Sequence, residues 1–390
     1  MTSRGRRSTP KPSAPLNLLT LNPTSARALA ANLGWPAYRA TQLLRWLYRE
    51  RVRNIEQMTN LSKTDRVRLS AVAYIERFSA TAPSFKSADG TRKFLFTLVD
   101  GLTVESVLIP DGPRLTLCLS TQVGCTLDCG FCLTGHMGLR RNLAGHEIAD
   151  QVLTVLDRLD ASEPLTNLVL MGMGEPLANF DAVADAVTRL ADPSWGLGFS
   201  TRRMTLSTAG LASRLQDAVN LGVNLAVSLN APTDGLRAQL MPAANRIAPL
   251  PELLDACRKL TTPERSRITF EYVLLAGIND REEQAAQVAT LLRSIRCKIN
   301  LIPFNDYPGS PYHRPDQTAV RRFQLRLRSA GYDVLIRRRR GHDVLGACGQ
   351  LGQLAPASSL PVLTSAPRLV RNQTRVALNS DTRHATDVCS

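Results

Sequence analysis

Three cysteines in the run Gln122-Val123-Gly124-Cys125-Thr126-Leu127-Asp128-Cys129-Gly130-Phe131-Cys132 are spaced C-x3-C-x2-C, close enough to ligate one inorganic centre. A fully ligated 4Fe-4S cluster in an electron carrier takes four cysteines, commonly as C-x2-C-x2-C-x3-C-P. Here no fourth cysteine or proline follows. Three thiolates would leave one iron open, and an open iron is where chemistry can occur. Two plainer readings stand beside this one. The thiols could hold zinc, with His136 as the nearest fourth ligand, although zinc sites usually pair two knuckles separated by a loop. They could also be small buried side chains with no ligand.

The elements that must position these thiols are short apolar runs alternating with helical segments. From Leu115 onward, strands are expected at 115–120, 167–171, 203–207, 224–228, 268–274 and 298–302. Six strand-helix units predict an α/β fold with a parallel sheet, which right-handed crossovers curl into a partial barrel. Ligands in such folds sit at the carboxyl ends of the strands. Five of the six ends carry polar, small or reactive residues: the cysteine run, Gly172-Met173-Gly174-Glu175-Pro176, Ser207-Thr208-Ala209-Gly210, Ser228-Leu229-Asn230-Ala231-Pro232, and Pro303-Phe304-Asn305. Glycines let a backbone approach a ligand, and Glu175 offers a carboxylate to an ammonium or a ribose hydroxyl. Ser207, Ser228 and Asn230 are each ordinary turn residues alone. Together at one mouth they describe a cofactor site.

Before the barrel, residues 1–15 are Ser/Pro/Arg-rich and read as a disordered basic tail. Residues 16–80 form a helical accessory domain, with Asn22-Pro23 starting one helix, Gly34 following it, and a second helix beginning near Pro36. That second helix sets Leu43, Leu44, Trp46 and Leu47 on one side and Arg39, Arg45, Arg49 and Arg51 around them, a surface suited to RNA or simply to water. Runs 93–99 and 102–109 flank Asp100-Gly101, a two-residue hairpin signal, and Glu105 lies in the second run. The core is expected to span 90–352. At its end a strand at 332–336 enters Arg337-Arg338-Arg339-Arg340, followed by Gly346-Ala347-Cys348-Gly349-Gln350-Leu351. Residues 353–390 read as a second disordered tail.

Charge narrows the partners. The net charge is +15, of which residues 1–14 supply +4 and the tail from Gln353 supplies +2, so +9 remains on the folded middle. Such a surface favours a polyanion, nucleic acid first; an arginine-rich proteome would produce the same excess. No apolar run reaches membrane-spanning length, and the basic start lacks the apolar stretch of a secretory signal. Eight cysteines are too few for a disulfide scaffold, and a thiolate-held cluster needs a reducing compartment. A cytoplasmic protein is expected. Cys257 and Cys297 are read as core residues and Cys389 as a free tail thiol. The histidines have no metal spacing.

The cysteine spacing, with Phe131 before the last cysteine, resembles the radical-SAM superfamily, in which the open iron binds S-adenosylmethionine (SAM). Over 16–351 the chain resembles the radical-SAM RNA adenosine methyltransferases of the RlmN/Cfr type, closer to RlmN. Matching segments are Met58-Thr59-Asn60-Leu61-Ser62-Lys63, Val104-Glu105-Ser106-Val107, the cysteine triad, 172–176, 228–232, Asn300-Leu301-Ile302-Pro303-Phe304-Asn305 and 347–351.

The resemblance implies a partial (β/α)6 radical-SAM barrel with a small helical domain and a hairpin extension. It implies a 4Fe-4S cluster on Cys125, Cys129 and Cys132, two SAM molecules per turnover, and SAM contacts from Gly174, Glu175, Ser207, Ser228, Leu229, Asn230 and Asn305. The reaction implied is methylation of C2 of an adenine in 23S rRNA at the peptidyl-transferase centre, and of the adenosine beside the anticodon in tRNA. Cys348 would be methylated by one SAM and give up a hydrogen to a radical made from the second. The resulting carbon radical would add to C2, Cys118 would release the product by forming a disulfide with Cys348, and Glu105 would take the C2 proton. An electron donor such as a flavodoxin with its reductase is expected, and a monomer is expected because RNA would occupy the open side of the barrel. Arginines before Cys348 are expected to lower its pKa and to touch phosphates. Asn230 replaces a residue that is usually His in the family, and four consecutive arginines exceed the family pattern. Three rivals remain: C8 methylation of the same adenosine, as in the Cfr branch; a non-enzymatic RNA-binding protein with a metal knuckle; and a radical-SAM enzyme on another RNA or a small molecule, which would leave Cys348 unexplained.

Overall fold

The computed structural model describes residues 14–79, 81, 84–263 and 266–352. The chain divides into two units, 1–354 and 355–390, and every described residue belongs to the first. The expected tails at 1–15 and 353–390, and Cys389, lie wholly or almost wholly outside the described residues.

The main sheet has ten strands: β1 Ser84–Lys86, β2 Arg92–Thr97, β3 Thr103–Asp111, β4 Arg114–Cys118, β5 Asn167–Leu170, β6 Met204–Thr208, β7 Asn224–Ser228, β8 Ile268–Leu274, β9 Cys297–Pro303 and β10 Val334–Ile336. They lie side by side in chain order from β1 to β10. The strands β4 to β10 pair in parallel, and β1 to β4 pair antiparallel. Parallel strands covered on both faces should be nearly all apolar, and Leu225, Ala226 and Val227 in β7 and Phe270, Tyr272 and Leu274 in β8 are buried. The expected strand-helix alternation is therefore the observed one, within one or two residues at each end and up to two at β4 and β10.

The hairpin differs in its turn. Leu98 N–H donates to the Leu102 carbonyl at 2.8 Å and Gly101 N–H to that of Leu98 at 2.9 Å, with Gly101 at φ +79°. The loop is thus three residues, Val99-Asp100-Gly101, rather than two. A left-handed glycine closing a tight turn gives this geometry, and Asp100 secures it by accepting from Leu102 N–H at 3.1 Å.

The N-terminal helices form as the caps dictate. Asn22 and Ser25 satisfy each other's backbone N–H groups at 2.9 Å around Pro23, and the helix Pro23–Asn32 ends ahead of Gly34 at φ +69°. The helix Tyr38–Tyr48 buries Leu43, Leu44, Leu47 and Tyr48, with Trp46 only partly covered. Three of the arginines in and after it bond to the protein itself at the surface, while Arg45 is exposed. Arg51 pairs with Asp157 at 2.9 Å, Arg49 donates to the Pro193 carbonyl, and Arg39 donates to the Asn60 carbonyl at 2.9 Å.

A buried ion pair joins these helices to the barrel. Arg77 meets Asp150 at 3.0 Å with both side chains almost fully buried, and Phe78 N–H donates to the same carboxylate at 2.5 Å. Burial pushes the Asp150 carboxyl up, opposed by Arg77 and the Phe78 N–H. Arg77 also reaches Asp157 at 3.1 Å, so removing Asp150 leaves the guanidinium partly paired while the Phe78 N–H loses its acceptor. Asp150→Ala is expected to cost about 3 kcal/mol in urea unfolding, against less than about 1 for the exposed Arg214–Asp217 pair broken by Asp217→Ala.

Candidate active site

One cavity at the carboxyl ends of the parallel strands gathers most of the residues singled out above. It is lined by Cys125, Cys129 and Cys132 after β4, Gly172, Gly174 and Glu175 after β5, Ser207 and Thr208 on β6, Ser228 and Asn230 at β7, Asn305 after β9, and Cys348 from the C-terminal segment. The fifth of the six strands, whose end carried no polar signal, also contributes, through Glu271 and Val273 on β8.

Glycines shape its walls by close approach. A Cβ on Gly174, at φ +101°, would lie 2.6 Å from Gln122 Cβ, and one on Gly124, at φ +77°, would lie 1.8 Å from the Gly138 carbonyl oxygen. The cysteine loop is thereby folded tightly against the Gly172–Pro176 turn. Leu127 N–H donates to Cys125 Sγ at 3.3 Å. Burial pushes all three thiols up, Cys125 to about 12 and Cys129 well above the ordinary thiol range.

Glu175 is buried and uses its carboxylate to tie two strand ends together, accepting from Leu177 N–H at 3.0 Å and Ala209 N–H at 2.8 Å. Burial raises its pKa against those bonds. Asn230 sits at φ +56°, a left-handed position that asparagine tolerates. Its Oδ1 accepts from Val273 N–H at 2.8 Å and its Nδ2 donates to Met241 Sδ at 3.2 Å, while Asn279 holds its carbonyl at 2.8 Å. Its amide therefore braces the wall it lines. Asn305 likewise donates to the Cys348 carbonyl at 3.2 Å.

Three predicted residues do not line the cavity. Leu229 is fully buried with its side chain in the apolar core, and its N–H donates to the Glu271 carbonyl at 2.9 Å. Pleating explains this, since Ser228 and Leu229 must point to opposite faces. Cys118 ends β4, paired with Val107 and Val169, and is buried just behind Cys348. Burial pushes its thiol up to about 12, with the Cys348 charge adding to this and Arg337 opposing it. Glu105 is also buried. Its Oε1 meets Lys93 Nζ at 3.0 Å and its Oε2 accepts from Gly352 N–H at 2.9 Å.

Cys348 corrects an expectation. Its arginine neighbourhood was expected to lower the thiol pKa, yet burial raises it and outweighs Arg337. Arg337 itself is turned inward against Cys348, Glu271 and Cys118 rather than toward phosphates. Glu271 was missed, although a carboxylate inside the apolar run Ile268–Leu274 was a signal. The disulfide between Cys118 and Cys348 is not formed, and all seven described cysteines are free. Cys257 and Cys297 are buried core residues as expected.

The Cys348 segment is fastened at both ends. Asp89 accepts from Gly341 N–H at 2.9 Å, and Asp343 accepts from Ser87 Oγ at 2.5 Å; beyond Cys348, Leu133 N–H donates to the Gly349 carbonyl at 2.8 Å. Burial disfavours the Asp89 carboxylate, but bonds from Thr91, Gly341 and Ser87 win and hold its pKa down to about 2. Because the folded pKa is depressed, this clip stabilises above the ordinary carboxylate value and is lost as pH falls through about 2. Asp89→Ala is expected to lower stability by about 1–2 kcal/mol at neutral pH and to speed proteolysis within 341–349.

Two family models match the chain: the ribosomal RNA large subunit methyltransferase N-terminal domain at residues 16–75, and the radical SAM superfamily at 119–289. A "Dual-specificity RNA methyltransferase RlmN" from Desulfosudis oleivorans is 49% identical over 315 residues, covering 80% of this chain and 84% of that protein. The protein of the same name from Syntrophobacter fumaroxidans is 49% identical over 82% of this chain and 93% of its own. A crystal structure of a radical SAM methyltransferase from Sphaerobacter thermophilus superposes with a TM-score of 0.81 at 41% identity, covering 86% of this chain and 99% of that one.

Such enzymes use a 4Fe-4S cluster and SAM, and the residues here fit the cluster. One buried donor next to the cysteines, Arg237 Nε, lacks a hydrogen-bond partner among the described residues, and the charge of Cys129 reaches its side chain. Thiols pushed up by burial need bound metal to become thiolates. No three His, Cys, Asp or Glu side chains among the described residues gather around a single ion, whereas three thiolates that each bind a different iron need not do so. The partial (β/α)6 barrel, the cysteine loop and the N-terminal helices together carry the match, and the chain belongs to the RlmN family of radical-SAM RNA methyltransferases.

Proposed function

We propose that this enzyme methylates C2 of adenosine in 23S rRNA at the peptidyl-transferase centre and C2 of the adenosine beside the anticodon in tRNA, using Cys348 as methyl carrier. The observation that carries this reading is that Cys348 lines the same cavity as Cys125, Cys129 and Cys132. Adenine C2 has no nucleophilic lone pair, so polar methyl transfer to it fails and a carbon radical is required.

When bound, the cluster on Cys125, Cys129 and Cys132 and its SAM supply a hydrogen-abstracting radical, and a second SAM supplies the methyl group. Gly172 and Gly174 leave room against the cavity wall, while Ser207, Ser228 and Glu175 present oxygens to the bound cofactor. Cys348 accepts a methyl group as its thiolate, which Arg337 favours against burial. After carbon–carbon bond formation at C2, the odd electron of the adduct would pass back to the bound cluster. The Cys118 thiolate then attacks the Cys348 sulfur, the S–S bond forms as the carbon–sulfur bond breaks, and the departing methylene carbon takes up a proton to become the methyl group. Before this attack Glu105 takes the C2 proton. Both its oxygens are engaged, so this step requires Gly352 N–H to release one of them, a movement of the segment that carries Cys348.

A flavodoxin with its reductase is the proposed electron donor, and the enzyme acts as a cytoplasmic monomer. No helix among the described residues is long and apolar enough to cross a membrane. The test is anaerobic incubation of the cluster-loaded enzyme with SAM, reductant and unmodified 23S rRNA fragment or tRNA, followed by mass spectrometry of nucleosides. 2-Methyladenosine in both RNAs is expected. 8-Methyladenosine would overturn the C2 assignment, and product in only one RNA would overturn the second substrate.

A further inference from the structure

A groove between the helix Gln317–Ser329 and the edge strand β10 has a cavity volume of about 530 Å³. Six arginines line it: Arg314, Arg321, Arg328, Arg337, Arg338 and Arg339; no Asp or Glu does. Such a concentration of one charge is costly unless an anion occupies it. Arg337 is turned inward toward Glu271 and the thiols, Arg321 donates to Gln324 Oε1 at 3.0 Å and Arg328 to the Val334 carbonyl at 3.0 Å, so the compensation that reaches the remaining arginines from carboxylates is slight. Asp306 stands 3.6 Å from Arg339, whose buried Nε has no partner among the described residues, and Arg338 is exposed with no ion pair among them. Arg314 is held inward by the Pro303 and Phe304 carbonyls at 2.8 and 2.9 Å. Burial, and then repulsion from Arg339, lower its pKa.

The groove also leads somewhere. A smaller cavity shares Pro303, Arg337 and Arg338 with it and shares Asn305 and Cys348 with the cysteine cavity. The three cavities thus adjoin in series through shared wall residues, from the flank of the barrel to Cys348. Arginine suits phosphodiesters because its planar fork bonds two oxygens at once.

We infer that this arginine groove binds backbone phosphates of nucleotides flanking the target adenosine and so leads the RNA to Cys348. The inference rests on the RNA-methyltransferase reading and adds to it a docking site on the far edge of the sheet, away from the N-terminal helices. Small phosphates share this chemistry, but they would not need the adjoining cavities up to Cys348.

The test measures equilibrium binding of an unmodified 23S rRNA fragment to the full chain, cluster-loaded, across a salt series. It compares wild type with Arg321→Gln/Arg338→Gln and with a control pair, Arg202→Gln/Arg203→Gln, exposed at the amino end of β6. All retain the Cys348 anchors, and thermal melts verify folding. The groove variant is expected to bind roughly tenfold more weakly near physiological salt, with a log Kd against log salt slope smaller by about 1.5. The control should stay near wild type. Equal losses in both pairs, or none in the groove pair while wild type binds and methylates, would overturn the groove and leave the enzyme's function standing. If wild type neither binds nor methylates RNA, both fall together. Inorganic pyrophosphate binding to wild type as tightly as RNA does, with RNA unaffected by the groove variant, assigns the groove to small phosphates instead.

Discussion

Cys348→Ala is expected to abolish RNA methylation, by at least about 10⁴-fold, while the protein folds, binds its cluster and keeps its iron content. Loss of a nucleophile that acts within a multi-residue unit has effects of this size. Retention of the cluster follows from position. Cys348 shares the cavity with the three cysteines after β4 but belongs to a segment held independently, by Asn305 on its carbonyl and by Leu133 on the carbonyl of Gly349. Neither bond involves the thiol. Cys348→Ser is the sharper variant, since it preserves shape and replaces a thiol with a hydroxyl far too weakly acidic to accept a methyl group at neutral pH. Iron analysis, visible absorbance and nucleoside mass spectrometry check both. If either variant still made methyladenosine at a substantial rate, the methyl group would reach RNA without passing through this sulfur.

Cys118→Ala should stop the reaction one step later, with about one equivalent of RNA covalently attached to Cys348 and no second turnover. The thiol of Cys118 ends β4 beside Cys348, so its removal leaves the carbon–sulfur link to RNA with no internal attacker. A band shift that survives denaturation and vanishes with ribonuclease would report the adduct. Alanine removes little volume, so the loss of stability should be about 1 kcal/mol. Wild type offers a companion measurement. Burial holds the Cys118 thiol up near 12, so its thiolate is scarce at neutral pH. Below that value each unit of pH multiplies the thiolate about tenfold, so single-turnover product release should accelerate as pH rises through the neutral and mildly alkaline range. A flat profile would mean that another group removes the proton or that release is limited by motion.

The C-x3-C-x2-C spacing, the strand-helix alternation and the polar residues at strand ends were all legible from order alone, because they are local. Spacing within eight residues decides whether thiols can share a cluster, and a strand-helix repeat with right-handed crossovers has few ways to fold. The N-terminal caps were legible for the same reason. What the tertiary structure decided is what lies across from what. Glu271 on β8 reaches Cys348 from a strand distant in sequence, and no local pattern joins the two. Leu229 was grouped with its neighbours Ser228 and Asn230 by sequence, yet the pleat turns it into the core. Arg337 headed a run that read as phosphate-binding and instead became an internal counter-charge to two thiols, leaving Arg338 and Arg339 to the groove. The Cys348 pKa shows the cause most clearly. A linear sequence displays charges but not burial, and in a cavity of low polarity the loss of hydration exceeds the attraction of one guanidinium, so only the folded chain reveals which way the thiol moves.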